Sequence, residues 1–325
     1  MIVPQYWAES RAQVRREGRQ VTVRRFGWSD VSPQDAQAQA DVRAQEALER
    51  ILAGENLRRR EPKLAYNGAE GVPIREEIVS RQGETVITRN IYGALCLNTP
   101  NVLFADIDLQ IDPSCRLTLV TFLAMVCGAA AMGFATESRA LGFVLGLVAL
   151  ILSGTVAKGL LRLRQQIGGG AEQLARTRIA RFVERYPHWN LRVYRTPAGL
   201  RVLATHQTFQ PSDSAVAECF SAWDTDPMYV RMCLHQQCFR ARVSPKPWRI
   251  GIRGHLRPRP GVWPVAPEHL PGRTAWIATY EAAAAPFAAC EWIDSLGSGL
   301  IHPDVRPVLE LHDELSRATQ RLPLA

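Results

Sequence analysis

Two stretches without a charged side chain limit what this chain can become. Leu117–Thr136 (LTLVTFLAMVCGAAAMGFAT) runs 20 residues without a charge, and Ala140–Ala157 (ALGFVLGLVALILSGTVA) another 18. As helices rising ~1.5 Å per residue, each reaches roughly 27–30 Å, the thickness of a hydrocarbon core. Small residues thread both runs: Gly128, Ala129, Ala130, Ala131 and Gly133 in the first, Gly142, Gly146, Ser153 and Gly154 in the second. In lipid, helix association depends on packing, and small residues let backbones approach. Only Glu137, Ser138 and Arg139 separate the runs, which predicts a transmembrane hairpin. Arg116 precedes it, Lys158, Arg162 and Arg164 follow it, and the connecting loop is net neutral. The positive-inside rule then places both termini in the cytoplasm. A helical hairpin buried in a large soluble core is the competing expectation.

The N-terminus offers no targeting signal, since Met1–Ser10 contains no apolar stretch before Arg11, Arg15 and Arg16 arrive. Seven cysteines, odd in number and irregularly spaced, imply no disulfide framework and fit a reducing compartment. Together these point to an integral membrane protein, in the inner membrane if the source is bacterial.

Residues 1–115 carry 15 basic and 16 acidic side chains, a balanced globular composition. Ser32-Pro33 followed by Asp35 predicts a helix start, and Ala40, Ala44, Ala47, Leu48 and Ile51 recur at helical spacing up to Gly54. Strands are expected at 84–89, 92–97 and 101–109, with Asn98-Thr99-Pro100 as a turn. After the hairpin (116–158, with spans 117–136 and 140–157), a linker over 159–170 ends in Gly168-Gly169-Gly170. A helix over 171–186 and a strand pair over 191–195 and 200–205 follow. Seven prolines within 244–271 predict irregular chain, and 273–296 and 304–321 read as helices. The fold expected is a cytoplasmic α/β (α+β) domain, built from 1–115 and 171–325 and interrupted by the hairpin. Two domains flanking the hairpin are the alternative.

In NVLFADIDLQID, Asp106 and Asp108 lie two apart on an apolar strand, with Asp112 beyond, so the first two project to one face. Paired carboxylates there need a cation or a basic group. A divalent ion such as Mg or Mn is one answer, pairing with arginine or emergence into solvent the other.

This apolar strand ending in Asp-x-Asp, a helix, and then the hairpin RVYRTPAGLRVLATH resemble the order in primase-polymerase proteins of the archaeo-eukaryotic primase superfamily. The resemblance implies that Asp106 and Asp108 hold catalytic metals and that a hairpin histidine contacts a nucleotide. The usual Ser-x-His arrangement is absent, His206 lies a few residues late, and Asp224 in SAWDTD stands in for a third acidic residue. The membrane hairpin has no counterpart in it. The segments GWSDVSPQDAQAQAD, YNGAEGVPIREEIVSR and CFRARVSPKPWRIGI resemble a bacterial family of two-transmembrane-helix proteins, which implies the architecture and carries no activity with it.

The strongest charge anomaly runs from Arg231 to Pro260. Of a whole-chain excess of +8, this segment holds Arg231, Arg240, Arg242, Lys246, Arg249, Arg253, Arg257 and Arg259, with no Asp or Glu between Asp226 and Glu268. Phe239 and Trp248 are interleaved and Trp263 follows. Such a segment suits phosphate, whether of nucleic acid, a nucleotide or anionic lipid. Arg231, Arg240, Arg242, Lys246, Arg249 and Arg253 are the candidate phosphate ligands. Internal pairing of Arg240 and Arg242 with Asp106 and Asp108 is the alternative.

Cys233, His235 and Cys238, with Cys219 upstream, offer zinc-type ligands without the paired knuckles of common structural sites. His302, His312 and Asp313 fall on the final amphipathic segment, where solvation or capping is expected. No Gly-x-Ser-x-Gly elbow, Walker A loop or His-Glu-x-x-His sequence occurs, and Ser295–Gly299 reads as a turn. Three functions remain open: a membrane-anchored binder of phosphate-rich ligands, a metal-dependent nucleotidyl or phosphoryl transferase, and a non-catalytic membrane-surface module.

Overall fold

A computed structural model describes residues 3–16, 19–61, 73–109, 115–167, 169–259 and 263–325. The chain opens with a long antiparallel hairpin, β1 (Tyr6–Arg16) and β2 (Arg19–Ser29), which the sequence reading did not anticipate. The expected helix follows as α1 (Pro33–Leu52), capped by the Ser32 hydroxyl, which accepts from the Asp35 amide at 3.0 Å. Its buried face, Ala36, Ala40, Ala44, Ala47 and Leu48, lies on the hairpin. Alanine there permits close approach, and Gly27 of β2 completes it: a methyl at that position would overlap the Ala36 carbonyl and the Ala40 backbone.

Two four-stranded antiparallel sheets form the main body. One runs β3 (Glu77–Gln82), β4 (Thr85–Arg89), β5 (Leu95–Thr99) and β9 (Phe239–Arg242). The other runs β10 (Glu291–Gly297), β7 (Asn190–Arg195), β8 (Gly199–Ala204) and β6 (Phe104–Asp108). Strands from before and after the apolar hairpin pair within both sheets: Leu97 opposes Ala241, and Asp106 opposes Arg201. One core runs through both parts, with Leu97, Phe104, Leu191, Val202, Trp223, Phe239 and Val305 all buried. At ~1.5–3 kcal/mol per large apolar side chain, that shared core holds the two parts together.

Between the parts, α2 (Cys115–Ala135) and α3 (Arg139–Ile167) form an antiparallel hairpin. Cys115–Ala135 and Arg139–Leu161 are each long and apolar enough to cross a membrane. Their large side chains face outward, Phe134 at 88% and Ile151 at 76% exposure, so a soluble-core role is not what buries them. The helices meet at small residues, where a methyl on Gly133 would lie 3.1 Å from Gly142 Cα. The expected linker is helical through Ile167, because the run beyond Ala157 is rich in Leu, Arg and Gln, all good helix formers. The joint narrows to Gly169 and Gly170, at φ +82° and +98°; Gly168 lies outside the described residues.

The remaining helices are α4 (Ala171–Arg185), α5 (Ser214–Trp223), α6 (Pro227–Gln236), α7 (Leu270–Ala284) and α8 (Arg306–Ser316). The helix expected over 273–296 ends before Pro286, and its last third is strand β10, whose partner β7 takes its backbone hydrogen bonds. Arg317 adopts a left-handed conformation that stops α8 short of the expected Arg321. β5 starts at Leu95 and continues through Thr99, so the turn expected at Asn98 falls later, and β6 starts at Phe104.

Candidate functional site

The two sheets meet along β6 and β9, and four hydrogen bonds fix that junction. The Tyr229 hydroxyl, from α6, donates to the Phe104 carbonyl at 3.0 Å and accepts from the Arg240 amide at 3.3 Å. Arg201 Nη1 donates to the Arg242 carbonyl at 2.9 Å, joining β8 to β9. The Asp226 amide donates to the Asp106 carbonyl at 3.0 Å, holding the start of α6 against β6. Beside this junction opens a cleft of about 320 Å³, whose lining includes Asn90, Tyr92, Asp106, Met232, Arg242 and Lys246.

Asp106 is neutralised from within. Arg201, 2% exposed, grips it through Nε to Oδ1 at 2.8 Å and Nη2 to Oδ2 at 3.3 Å. Burial works against the Arg201 cation, but Asp106 outweighs it and leaves the guanidinium more firmly protonated than usual. Arg240 pairs with Glu76, its Nη2 lying 2.9 and 2.7 Å from the two carboxylate oxygens, and Nη1 reaches Asn98 Oδ1 at 3.1 Å. Internal pairing therefore occurs, but with partners other than those expected from sequence: Arg201 takes Asp106 and Glu76 takes Arg240.

Arg242, Lys246 and Arg249 are left facing one another. Burial, then the neighbouring Arg201, lowers the Arg242 pKa, and its side chain donates to the Ser244 carbonyl at 2.8 Å. Burial lowers Lys246 too, reinforced by Arg242 and Arg249 and only partly opposed by Asp108 and Asp106. The Lys246 ammonium sits 5.4 Å from the Trp248 ring centroid. Arg249 has a buried Nη1 with no hydrogen-bond partner. Across from them Asp108 is pushed up by burial, by Asp226 and by Asp106.

The metal expectation at Asp106 and Asp108 fares differently. A carboxylate already gripped through both oxygens by a buried guanidinium is a poor metal ligand, and its proposed helpers are elsewhere. Asp224 caps the end of α5 and pairs with Arg178 at 2.9 Å. His206 lies beyond the far end of β8, since Asp108 opposes Gly199 while Phe104 opposes Leu203. It sits in an aromatic nest with Trp189 and Phe209, and burial first, then His188, lowers its pKa to about 4. Among the described residues no group of three or more His, Cys, Asp or Glu is arranged to hold a metal; Asp112 lies outside them. The zinc-type set is also dispersed in role: Cys219, Cys233 and Cys238 are buried with thiols pushed up by that burial, while His235 is exposed.

The basic segment is continuous in sequence but not in space. Arg231 lines a groove between α5 and α6 with Phe220, Asp224 and His235, and Arg253 lies in a concavity with Arg257 and Arg259. Of the six candidate phosphate ligands, Arg240, Arg242 and Lys246 line the cleft, and Arg249 interacts with two of its cations.

Sequence reasoning missed Arg201, Glu76 and Tyr229. The available signal for Arg201 was a single charge in the otherwise apolar strand GLRVLA. It also misplaced His312, which is fully buried, not solvated. His312 Nδ1 lies 3.0 Å from Asp313 Oδ1, and its Nε2 lies 3.9 Å from Cys290 Sγ and 3.4 Å from Arg201 Nη1. Burial pushes the Cys290 thiol up, but His312, with Arg201 and Ser316, more than offsets it. Cys290 and His312 are both sealed in the core, so this line of groups ties Arg201 in place and has no exposed nucleophile.

Comparisons with family models, with curated proteins and with solved structures find no match for the chain.

Proposed function

We propose that this is an integral membrane protein, anchored by the α2–α3 hairpin with both termini cytoplasmic, whose α/β body binds a phosphate-bearing ligand such as a nucleotide in the β6–β9 cleft. One observation carries the reading: Arg242, Lys246 and Arg249 are crowded together and half-buried, and the charges of Arg242 and Lys246 are disfavoured by burial and by their cationic neighbours. Like charges in a partly dry cleft cost free energy until an anion joins them. Phosphate oxygens accept from guanidinium and ammonium donors at once, and Tyr92 supplies an aromatic surface at the same cleft. The Asp106–Arg201 and Glu76–Arg240 pairs act as positioning groups that brace β6, β8 and β9 around it.

Equilibrium binding of radiolabelled ATP to the detergent-solubilised full chain tests this, with Lys246→Gln as the variant and chelator present or absent. The expected result is binding that survives chelation and falls tenfold or more in Lys246→Gln. Binding unchanged by that substitution overturns the cleft assignment. Binding abolished by the chelator returns the reading to metal-dependent chemistry at Asp108.

A further inference from the structure

The proline-rich chain after Arg249 leaves the cleft and builds a second concavity. Arg253, Gly254, His255, Arg257, Pro258 and Arg259 curve around a space of about 670 Å³, closed on one side by His269 at the start of α7. Arg253, Arg257 and Arg259 are exposed, and none has a hydrogen-bond or ion-pair partner among the described residues. Among the described residues no acidic side chain lines the space; the nearest acid in sequence, Glu268, is exposed outside the lining. Several arginines elsewhere are held by carboxylates: Arg240 by Glu76, Arg201 by Asp106, Arg195 by Glu172, Arg192 by Asp313. Here three guanidiniums with no such partner among the described residues gather in one hollow.

The lining also says how a ligand would be held. Sites that recognise the body of an organic ligand are mostly apolar, with a few polar groups for orientation. Among the described residues the walls are guanidinium, imidazole, one proline and backbone, with no Phe, Tyr or Trp face for a base and no aliphatic wall. Guanidinium forks match phosphate oxygens two at a time, and three forks match more than one phosphate. We infer that this concavity is a phosphate site separate from the cleft, taking an oligophosphate group of two or three consecutive phosphates by its charge. The same chemistry is presented by soluble oligophosphates and by phosphates of a lipid headgroup. This assignment stands independently of the cleft.

Calorimetric titration of the full chain in phosphatidylcholine nanodiscs with tripolyphosphate tests it. Wild type is expected to show two sites. Arg253→Gln/Arg257→Gln/Arg259→Gln should remove one, and Arg242→Gln/Lys246→Gln the other. A triple variant that binds as wild type does overturns the inference, even if the cleft variant loses its site. Loss in the triple variant alone supports this site and overturns the cleft. Since all three side chains are exposed, an unchanged melting temperature is expected. The matching triple lysine variant, which keeps the charge without the fork, should bind at least tenfold more tightly than the glutamine variant; equal weakness would show that charge in this hollow does not hold the ligand and overturn the inference. Replacing part of the phosphatidylcholine with diacylglycerol pyrophosphate, whose headgroup carries two consecutive phosphates, separates the two sources. Competition at this site assigns it to a headgroup, and unchanged titration assigns it to a soluble oligophosphate.

Discussion

At the scale of single residues, Arg201 decides what Asp106 is. A guanidinium 2% exposed and gripping a carboxylate through both oxygens loses its counter-charge if Asp106 is removed. Leaving one member of a buried pair uncompensated costs about 3–5 kcal/mol. Asp106→Ala should therefore lower the stability of the full chain by about 3 kcal/mol or more in chemical denaturation; a loss below about 0.5 kcal/mol, the usual effect of a surface change, would show that Arg201 does not depend on it. Asp108 behaves in the opposite sense. Its folded pKa is raised by burial, Asp226 and Asp106, so the stability linked to it is present at low pH and is lost as pH rises through the folded pKa. Asp108→Asn should raise the melting temperature by about 1–2 °C at pH 7 and leave it unchanged below pH 3. An equal rise at both pH values would contradict this assignment. For Lys246 the folded pKa is lowered, so part of the population deprotonates below the usual lysine range. A phosphate ligand favours the cation, so ATP affinity should weaken as pH rises toward the ordinary lysine range, and Lys246→Arg should flatten that dependence. A pH profile identical in wild type and Lys246→Arg would remove Lys246 from the site.

Secondary-structure elements show where local sequence suffices and where it does not. α1 was legible because Ser32, Pro33 and the alanine stripe act within its own residues, and the apolar hairpin because composition alone sets its length. The alanine stripe has a consequence at Gly27, where the backbones touch: Gly27→Ala should cost about 1–3 kcal/mol by overpacking. Thermal melting checks it, and an unchanged midpoint would mean that α1 can lift away freely. The strand pair β7–β8 was legible from its Pro-Ala-Gly turn, whereas β1–β2 was not: YWAESRAQVRR alternates, but charged residues on its outer face mask the period. β10 was misread as helix because Glu291–Gly297 becomes a strand only when β7 offers its edge, a non-local contact that helical spacing cannot report. The site was half legible for the same reason. Arg242 and Lys246 stand out by charge, but their separation from Arg231 and Arg253 depends on how the proline-rich chain turns, and Arg201 joins the site through its cross-strand partner Asp106 and the Arg242 carbonyl, both distant in sequence.

For the whole molecule, the mixed origin of both sheets constrains topology. β6 precedes the apolar hairpin and β8 follows it, yet they are hydrogen-bonded neighbours, so if the hairpin spans a bilayer as proposed, both of its ends emerge on one face. Single cysteines at Gln13 and Gln320, in a background without native cysteines, should react with an impermeant thiol reagent from the same side of sealed vesicles. One at Ser138 should react from the other. Labelling of Ser138 and Gln320 from a common side would contradict a spanning hairpin.

The phosphate cleft is the account's central claim, and Lys246 gives it a direct readout. The chain has only three lysines, Lys63, Lys158 and Lys246, so amine acylation followed by mass spectrometry resolves each one. Labelling the full chain in nanodiscs with and without ATP should show Lys246 protected fivefold or more by the nucleotide, with the rates at Lys63 and Lys158 unchanged. A Lys246 rate indifferent to saturating ATP would contradict the account.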